Sequence, residues 1–452
     1  MTPLVIAGLA ACAAMAAYFA RQRPVYASLS AVVGLAVVVA VAVMARVELP
    51  PATVVVGQVT IADGVFLRGA VVCTAAAMAL VCLIGALLDP EAEVAVPACA
   101  SVAGVALVFS LTDPMSAMVA GATVGFLGLI GSSRSGHGAF RQLSVVPGIA
   151  LIVVLVADAA VVSPSQPSTV AVALAILLGI GICLRTAAIP FHVAPLRLAR
   201  GAPLGMVPLH AVILPTALIL PALAWVTGNA LSGVISATGV GGVLVVLGGV
   251  TIVLAALAMF AQDDLGAVVT VHAIGDLGLV VMAFGVGGIG VGPVAVWLLV
   301  TGLARAAMVG WAMVVSERTN SRGVRGSMGW ARLSPTVVPG FVVAVAAGIG
   351  WPGSIAFDAR RLVLDAAVPG TGTQLLLAAS LLTSLAYVRV LWRGVRRPSI
   401  ELADDRITLG LRLSRWAAAA VVVGLGALPI TVAAGITGLA PAAADWAPFT
   451  GR

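Results

Sequence analysis

Four stretches of this chain place ionisable side chains within apolar sequence. The first, RTAAIPFHVAPLRLARGAPLGMVPLH, runs from Arg185 to His210. Arg185 closes a long apolar run, and Pro190, Phe191 and His192 follow it. Arg197 and Arg200 mark a short basic turn, and His210 lies inside the next apolar run. A charge at the centre of a bilayer costs about 2.5–3.5 kcal/mol or more, so an ionisable group there is a functional candidate by default. A proline about one turn further on removes a helix hydrogen bond and invites a break. Broken helices with charge beside them are how ion-translocating proteins build sites at mid-depth. The second stretch carries Gln262, Asp264, His272 and Asp276. His272 and Asp276 are four residues apart, so they share a helix face and can pair. That pair serves either a polar line through the membrane or a helix–helix hydrogen bond. The third, VWLLVTGLARAAMVGWAMV, holds Arg305 in its middle. The fourth, GIGWPGSIAFDARR, offers Pro352 and Gly353 as a second break and Asp358 beyond it. Histidine changes charge near neutral pH, a buried carboxylate is drawn toward that range, and arginine stays charged. The chemistry these types allow is proton transfer among histidines and carboxylates, with arginines as fixed charges.

Such residues need long apolar helices to hold them. The 452-residue chain is 61% hydrophobic and only 9% charged, which excludes an ordinary soluble domain. Fourteen apolar segments of spanning length can be counted, the first at 2–20 and the last at 413–438. Abundant Gly, Ala and Val suit close helix packing in lipid, and they suit a GC-rich genome equally. Between the second and third segments, PATVVVGQVTIADGVFLRG alternates in the manner of a short hairpin outside the membrane. The net charge of +7 needs no nucleic acid, because the basic residues, all arginine, follow the positive-inside pattern: 16 of 24 fall on one set of alternate loops and helix ends. That pattern predicts both termini outside. Arg21 and Arg23 follow the first apolar run and none precedes it, which predicts a retained first helix rather than a cleaved signal peptide. The five cysteines lie in apolar runs without a C-x-x-C pair, so they are expected to act as apolar fillers and no metal or iron–sulfur site is expected. His137, in a polar loop, and Asp158, near a helix end, are expected to reach water.

The first stretch resembles the signature of the antiporter-like membrane subunits of respiratory complex I, membrane-bound hydrogenases and multi-subunit Na+/H+ antiporters. Members read K-S-A-x-x-P-F-H-x-W-L-P-D-A-x-x-G-P-T-P-x-S-A-L-I-H. Arg185 falls on the lysine, Pro190, Phe191 and His192 on P-F-H, Gly201 on the glycine and His210 on the last histidine. The second stretch is similar to the family's Q-x-D-L-K-R-x-L-A-Y-S-T-I-S-Q-L-G-Y through Gln262, Asp264, Leu265, Ile274, Leu277 and Gly278. His272 stands where a serine is usual and Asp276 where a glutamine is usual. Arg305 takes a lysine position, and Asp358 falls on an acid that follows Pro352 and Gly353. The family's glutamate in the fifth helix is missing, the nearest positions being Gly121 and Ala122, and there is no lysine at all.

The resemblance implies an all-α polytopic protein of about 14 transmembrane helices, built as two inverted five-helix repeats with helices 7 and 12 broken. Its expected parts are helices 1–3 with the hairpin (1–94), a first repeat (95–230), a second repeat (231–395), and a basic inner loop with helix 14 (396–452). It implies a multi-pass inner-membrane subunit of a larger assembly, with other membrane subunits, lipid, and protons or monovalent cations as partners, and no bound cofactor or redox centre. The polar axis it implies is Arg185, His192, His210, Asp264, His272, Asp276, Arg305 and Asp358. Two functions remain open at this point: proton conduction, or proton–cation exchange, along that axis, and a degenerate subunit that keeps the fold as a scaffold and does not pump. A lone transporter of another superfamily is a third possibility.

Overall fold

The computed structural model describes residues 2–44, 53–56, 59–88, 92–130, 169–228, 231–287, 289 and 291–396. Twelve of the fourteen predicted apolar segments lie among them, and each forms helix. The segments near 143–163 and 413–438 lie outside the described residues, as do His137, Asp158 and the basic stretch from 397 onward. In chain order, α1 is Thr2–Phe19 and α2 is Pro24–Met44. Strands β1 (Thr53–Val56) and β2 (Val59–Ala62) pair antiparallel, with Thr53 opposite Ala62 and Val56 opposite Val59, which is the predicted hairpin. Then come α3 (Val65–Leu88), α4 (Ala92–Ser110), α5 (Pro114–Ile130), α6 (Thr169–Arg185) and α7 (Val193–Gly201). A π-helical turn, Leu209–Ile213, leads into α8 (Leu214–Gly228). The rest is α9 (Leu231–Ala237), α10 (Val240–Ala261), α11 (Leu265–Val286), α12 (Val291–Thr319), α13 (Trp330–Leu333), α14 (Val337–Ile349), α15 (Ile355–Ala367) and α16 (Thr371–Val395).

Among the described residues, eight helices are long and apolar enough to cross a membrane, and four shorter ones are apolar. Which face each helix buries follows from its sequence. α11 and α12 are apolar on nearly every side and are almost wholly buried, as a helix apolar all round must be. α1, α2, α10 and α16 leave Leu4, Met15, Val33, Val43, Val246, Leu257, Leu375 and Leu385 exposed, a surface suited to acyl chains. Helix starts obey local capping. Asp113 accepts from the Ser116 N–H at 2.8 Å ahead of α5, Asp264 accepts from the Ala267 N–H at 2.8 Å ahead of α11, and the Ser354 hydroxyl accepts from the Phe357 N–H at 3.2 Å ahead of α15.

α10 and α11 set the geometry of the site. They run antiparallel, with Gly241 against Gly285 and Gly248 against Gly278. A methyl group at Gly248 would lie 2.4 Å from the Gly278 carbonyl oxygen, and one at Gly285 would lie 2.5 Å from that of Gly241. Only glycine permits this approach, which is how small residues bring transmembrane helices together where lipid gives no hydrophobic drive. α11 is thereby held at a fixed depth and rotation.

Two interruptions break the helical pattern. α6 ends on Arg185, Ala187 is left-handed (φ +55°), and the Ile189–Pro190 peptide is cis before α7 begins. The Ile189 N–H is received by the Thr251 hydroxyl at 3.2 Å, which ties this turn to α10. The second interruption separates α14 from α15 at 350–354, with Gly350 (φ +64°) and Gly353 (φ +90°) in the left-handed region open to glycine. Each breaks beside the predicted proline.

Candidate functional site

Asp276 and His272 lie one turn apart on α11, where the glycine contacts with α10 present them to α12. From α12, Arg305 reaches both. Its Nη2 donates to Asp276 Oδ2 and, at 3.3 Å, to the Gly348 carbonyl at the end of α14. Its Nη1 lies 2.6 Å from His272 Nδ1 and donates to Met308 Sδ at 3.1 Å. From α16, the Tyr387 hydroxyl stands 2.9 Å from the same His272 Nδ1. His272 Nε2 faces Asp276 Oδ1 at 3.9 Å. Arg305 is 0% exposed, His272 3% and the Asp276 side chain 11%. A guanidinium only donates, so Nδ1 must accept, and the neutral ring carries its proton on Nε2, toward Asp276. Three helices and the end of a fourth thus converge on one polar knot with little access to water.

Arg360 adds a second cation. Its guanidinium carbon lies 4.3 Å from the centre of the Trp297 ring, a cation–π stack, and the residue is 3% exposed. Its neighbour Arg361 faces the other way. Arg361 reaches water and bonds to Asp365 at 3.3 Å, both side chains exposed. The reason is helical periodicity. Ala356, Ala359, Arg360, Val363 and Leu364 share the buried face of α15, while Asp358, Arg361, Leu362 and Asp365 share the other. That spacing was visible in the sequence and marks Arg360. Nothing in the sequence marked Tyr387, whose place beside His272 depends on how α16 packs.

The first half forms a separate group. Arg185 is buried at the end of α6, and its Nε and Nη2 have no hydrogen-bond partner among the described residues. His210 lies on the π-helical turn, with both ring nitrogens buried and without a partner among the described residues, close enough to Arg185 to feel its charge. π-turns inside helices often accompany functional sites. Small cavities adjoin each group. One of about 20 Å³ touches Arg185, one of about 10 Å³ touches His210 and Thr270, and one of about 20 Å³ touches His272, Asp276 and Arg360. Each approaches the size that holds about one water molecule.

The remaining predicted residues stand apart from both groups. Asp264 caps α11 and pairs with Arg322 at 3.4 Å. Asp358 is exposed in the first turn of α15, opposite Arg360. His192 sits half-buried just before α7. Arg389 donates to the carbonyls of Phe260 and, at 2.9 Å, Gln262, so it caps the end of α10. Asp63 holds Arg68 through two contacts of 2.9 and 2.5 Å, which ties the hairpin to α3. The missing helix-five acid also has a structural counterpart. A methyl group at Gly121 would lie 2.3 Å from the Ala217 carbonyl oxygen on α8, so no side chain fits there. Among the described residues, no cluster of ligating side chains could hold a metal ion.

The family model described as NADH:quinone oxidoreductase/Mrp antiporter, TM, matches residues 99–386, more than half of the chain. No curated protein sequence matches. Among solved structures, a chain of the Mrp complex from Dietzia sp. DQ12-45-1b aligns with a TM-score of 0.75 at 17% identity, over 99% of this chain and 52% of that one. This chain therefore spans about half the length of that relative. A chain of respiratory complex I from Thermus thermophilus aligns with a TM-score of 0.69 at 19% identity, over 96% and 99% of the two chains. A chain of the membrane-bound sulfane sulfur reductase, an archaeal respiratory membrane complex, aligns with a TM-score of 0.73 at 14% identity, over 99% of both. These likenesses establish the fold.

Proposed function

Because this chain belongs to the NADH:quinone oxidoreductase/Mrp antiporter transmembrane family, we propose that it is a membrane subunit of a complex I-like, Mrp-like or hydrogenase-like assembly and conducts protons, in some assemblies in exchange for a cation. It sits in the plasma membrane as a multi-pass subunit, with both termini outside. The observation that carries this reading is the buried joining of Asp276, His272 and Tyr387 around Arg305. A titratable carboxylate, a titratable ring and a hydroxyl are in register in the interior, where each is costly unless used or fully satisfied.

The chemistry follows from what each group can do. Arg305 does not release its proton, so it acts as a fixed charge. Asp276 is the group whose charge changes. When a proton reaches its carboxylate, the attraction to Arg305 falls and the guanidinium is free to leave Nδ1 of His272. Nδ1 then accepts a proton relayed through the Tyr387 hydroxyl, which is reprotonated from its far side; Asp276 passes its own proton on, and Nε2 gives its proton to the vacated carboxylate. The ring thus passes charge between two faces without turning. His210 and Arg185 serve as the corresponding carrier and fixed charge in the first half, with water in the small cavities completing contacts that the side chains leave open.

The test is proton flux in vesicles holding the purified assembly. His210→Ala and His272→Ala are each expected to abolish it while the assembly stays intact. Unchanged flux in both would remove the histidine path. A wild-type assembly that forms normally yet shows no flux through this subunit would leave the scaffold role instead.

A further inference from the structure

The cavity beside Asp276 contains more donors and more positive charge than its own residues can satisfy. Arg360, Trp297, His272, Asp276, Ser380 and Thr383 line it. Among the described residues, Arg360 Nε and Nη1 are buried without acceptors, and so is Trp297 Nε1. His272 Nε2, the protonated ring nitrogen, also faces this side and is 3.9 Å from the nearest carboxylate oxygen. Ser380 and Thr383 donate back into their own helix, to the carbonyls of Leu376 at 2.8 Å and Ser380 at 2.6 Å. Their oxygens can still accept, but neither lies within hydrogen-bond distance of Arg360 Nε or Nη1. The charges do not balance either. Arg305 and Arg360 bring two positive charges against a single carboxylate among the described lining residues, Asp276, whose Oδ2 Arg305 already holds. A buried cation left without a counter-charge is strongly unfavourable. At about 20 Å³ the cavity has room for one particle of water size or slightly more.

We propose that this cavity holds one small monovalent anion of the halide class, received by the free edge of the Arg360 guanidinium, the Trp297 indole N–H and the Nε2–H of His272. One water molecule would accept at most two of these donors and cancel none of the charge. A monovalent metal cation would meet two guanidinium groups against one carboxylate and is excluded by the same arithmetic. Arg360 Nη2 lies beside Gly350, next to the exposed turn Trp351–Gly353. The inference stands on donor and charge balance and does not require the protein to conduct protons.

The experiment is thermal unfolding of the full-length protein in detergent, with sodium chloride replaced stepwise by sodium gluconate at constant ionic strength. A ligand that binds only the folded state raises Tm in a saturable way. The expected result is a saturable rise with chloride, absent in Arg360→Leu, which keeps an apolar side chain there and removes the charge. No saturable chloride effect in the wild type, or one that Arg360→Leu leaves unchanged, overturns the proposal. Should Arg360→Leu fail to fold, iodide quenching of tryptophan fluorescence decides the matter. A saturable quenching component that disappears in Trp297→Phe supports the site, and purely linear quenching overturns it. Proton flux in vesicles is a separate readout, so loss of the anion site and loss of the proton path are distinguishable.

Discussion

Arg305 Nη1 approaches His272 Nδ1 to 2.6 Å, and the contact decides which nitrogen of the ring carries its proton. With Nδ1 accepting, the N–H points at Asp276. The same guanidinium engages that carboxylate through its other nitrogen. One arginine thus sets both the tautomer of a histidine and the charge environment of an acid 29 residues away in sequence.

Removing one half of this buried pair should be costly. Arg305→Leu leaves Asp276 without its partner, and breaking a buried pair typically destabilises by about 3–5 kcal/mol. Replacing both, as Arg305→Leu with Asp276→Leu, should recover most of the loss, since apolar replacement of a whole buried pair is often neutral. The Tm of the purified variants measures this, and a double variant as unstable as the single one would contradict it. Flux should be absent in both.

Tyr387→Phe keeps the ring and removes only the hydroxyl beside His272 Nδ1. Flux in vesicles should fall substantially while Tm moves by about 0.5–1.5 kcal/mol equivalent at most, the scale of one net hydrogen bond. Full flux would take Tyr387 out of the path.

Asp264→Ala should lower stability by about 0.5–2 kcal/mol, through loss of an N-cap, and leave flux close to wild type. Its oxygen accepts from the Ala267 N–H, and its other contact is to Arg322 at the start of the helix. Abolished flux with unchanged Tm would instead place Asp264 in the proton path.

Gly248→Leu should push α10 from α11, because a methyl group there already meets the Gly278 carbonyl at 2.4 Å. Overpacking of this sort costs about 1–3 kcal/mol or more. Gly121→Glu, which restores the family's helix-five acid, should likewise destabilise rather than add function, given the 2.3 Å approach to Ala217. Thermal unfolding and assembly yield report both, and a well-folded Gly121→Glu protein with raised flux would overturn this view of the position.

Much of this molecule follows from one-dimensional information. Apolar runs of spanning length dictate helices because a backbone in lipid must satisfy its own hydrogen bonds. Pro190 and the Pro352–Gly353 pair forbid regular helix, so the breaks fell beside them. Asp113 and Asp264 precede helix starts for the same local reason. The i,i+4 spacing of His272 and Asp276 placed them on one face whatever the fold. What needed the tertiary structure is everything between helices. Arg305 lies in mid-helix in the sequence, and only the packing of α11 against α12 shows that it touches both His272 and Asp276. Tyr387 carries no mark in the sequence, and only the packing of α16 brings it to the ring. Asp264 and Asp358 shared a composition with the buried acids, yet one caps a helix and the other faces outward, because the rotation of each helix is set by contacts such as Gly248 against Gly278. Sequence alone determines that polar groups are buried in lipid-spanning helices. Which of them meet is decided by how far apart the backbones stand and how each helix is turned.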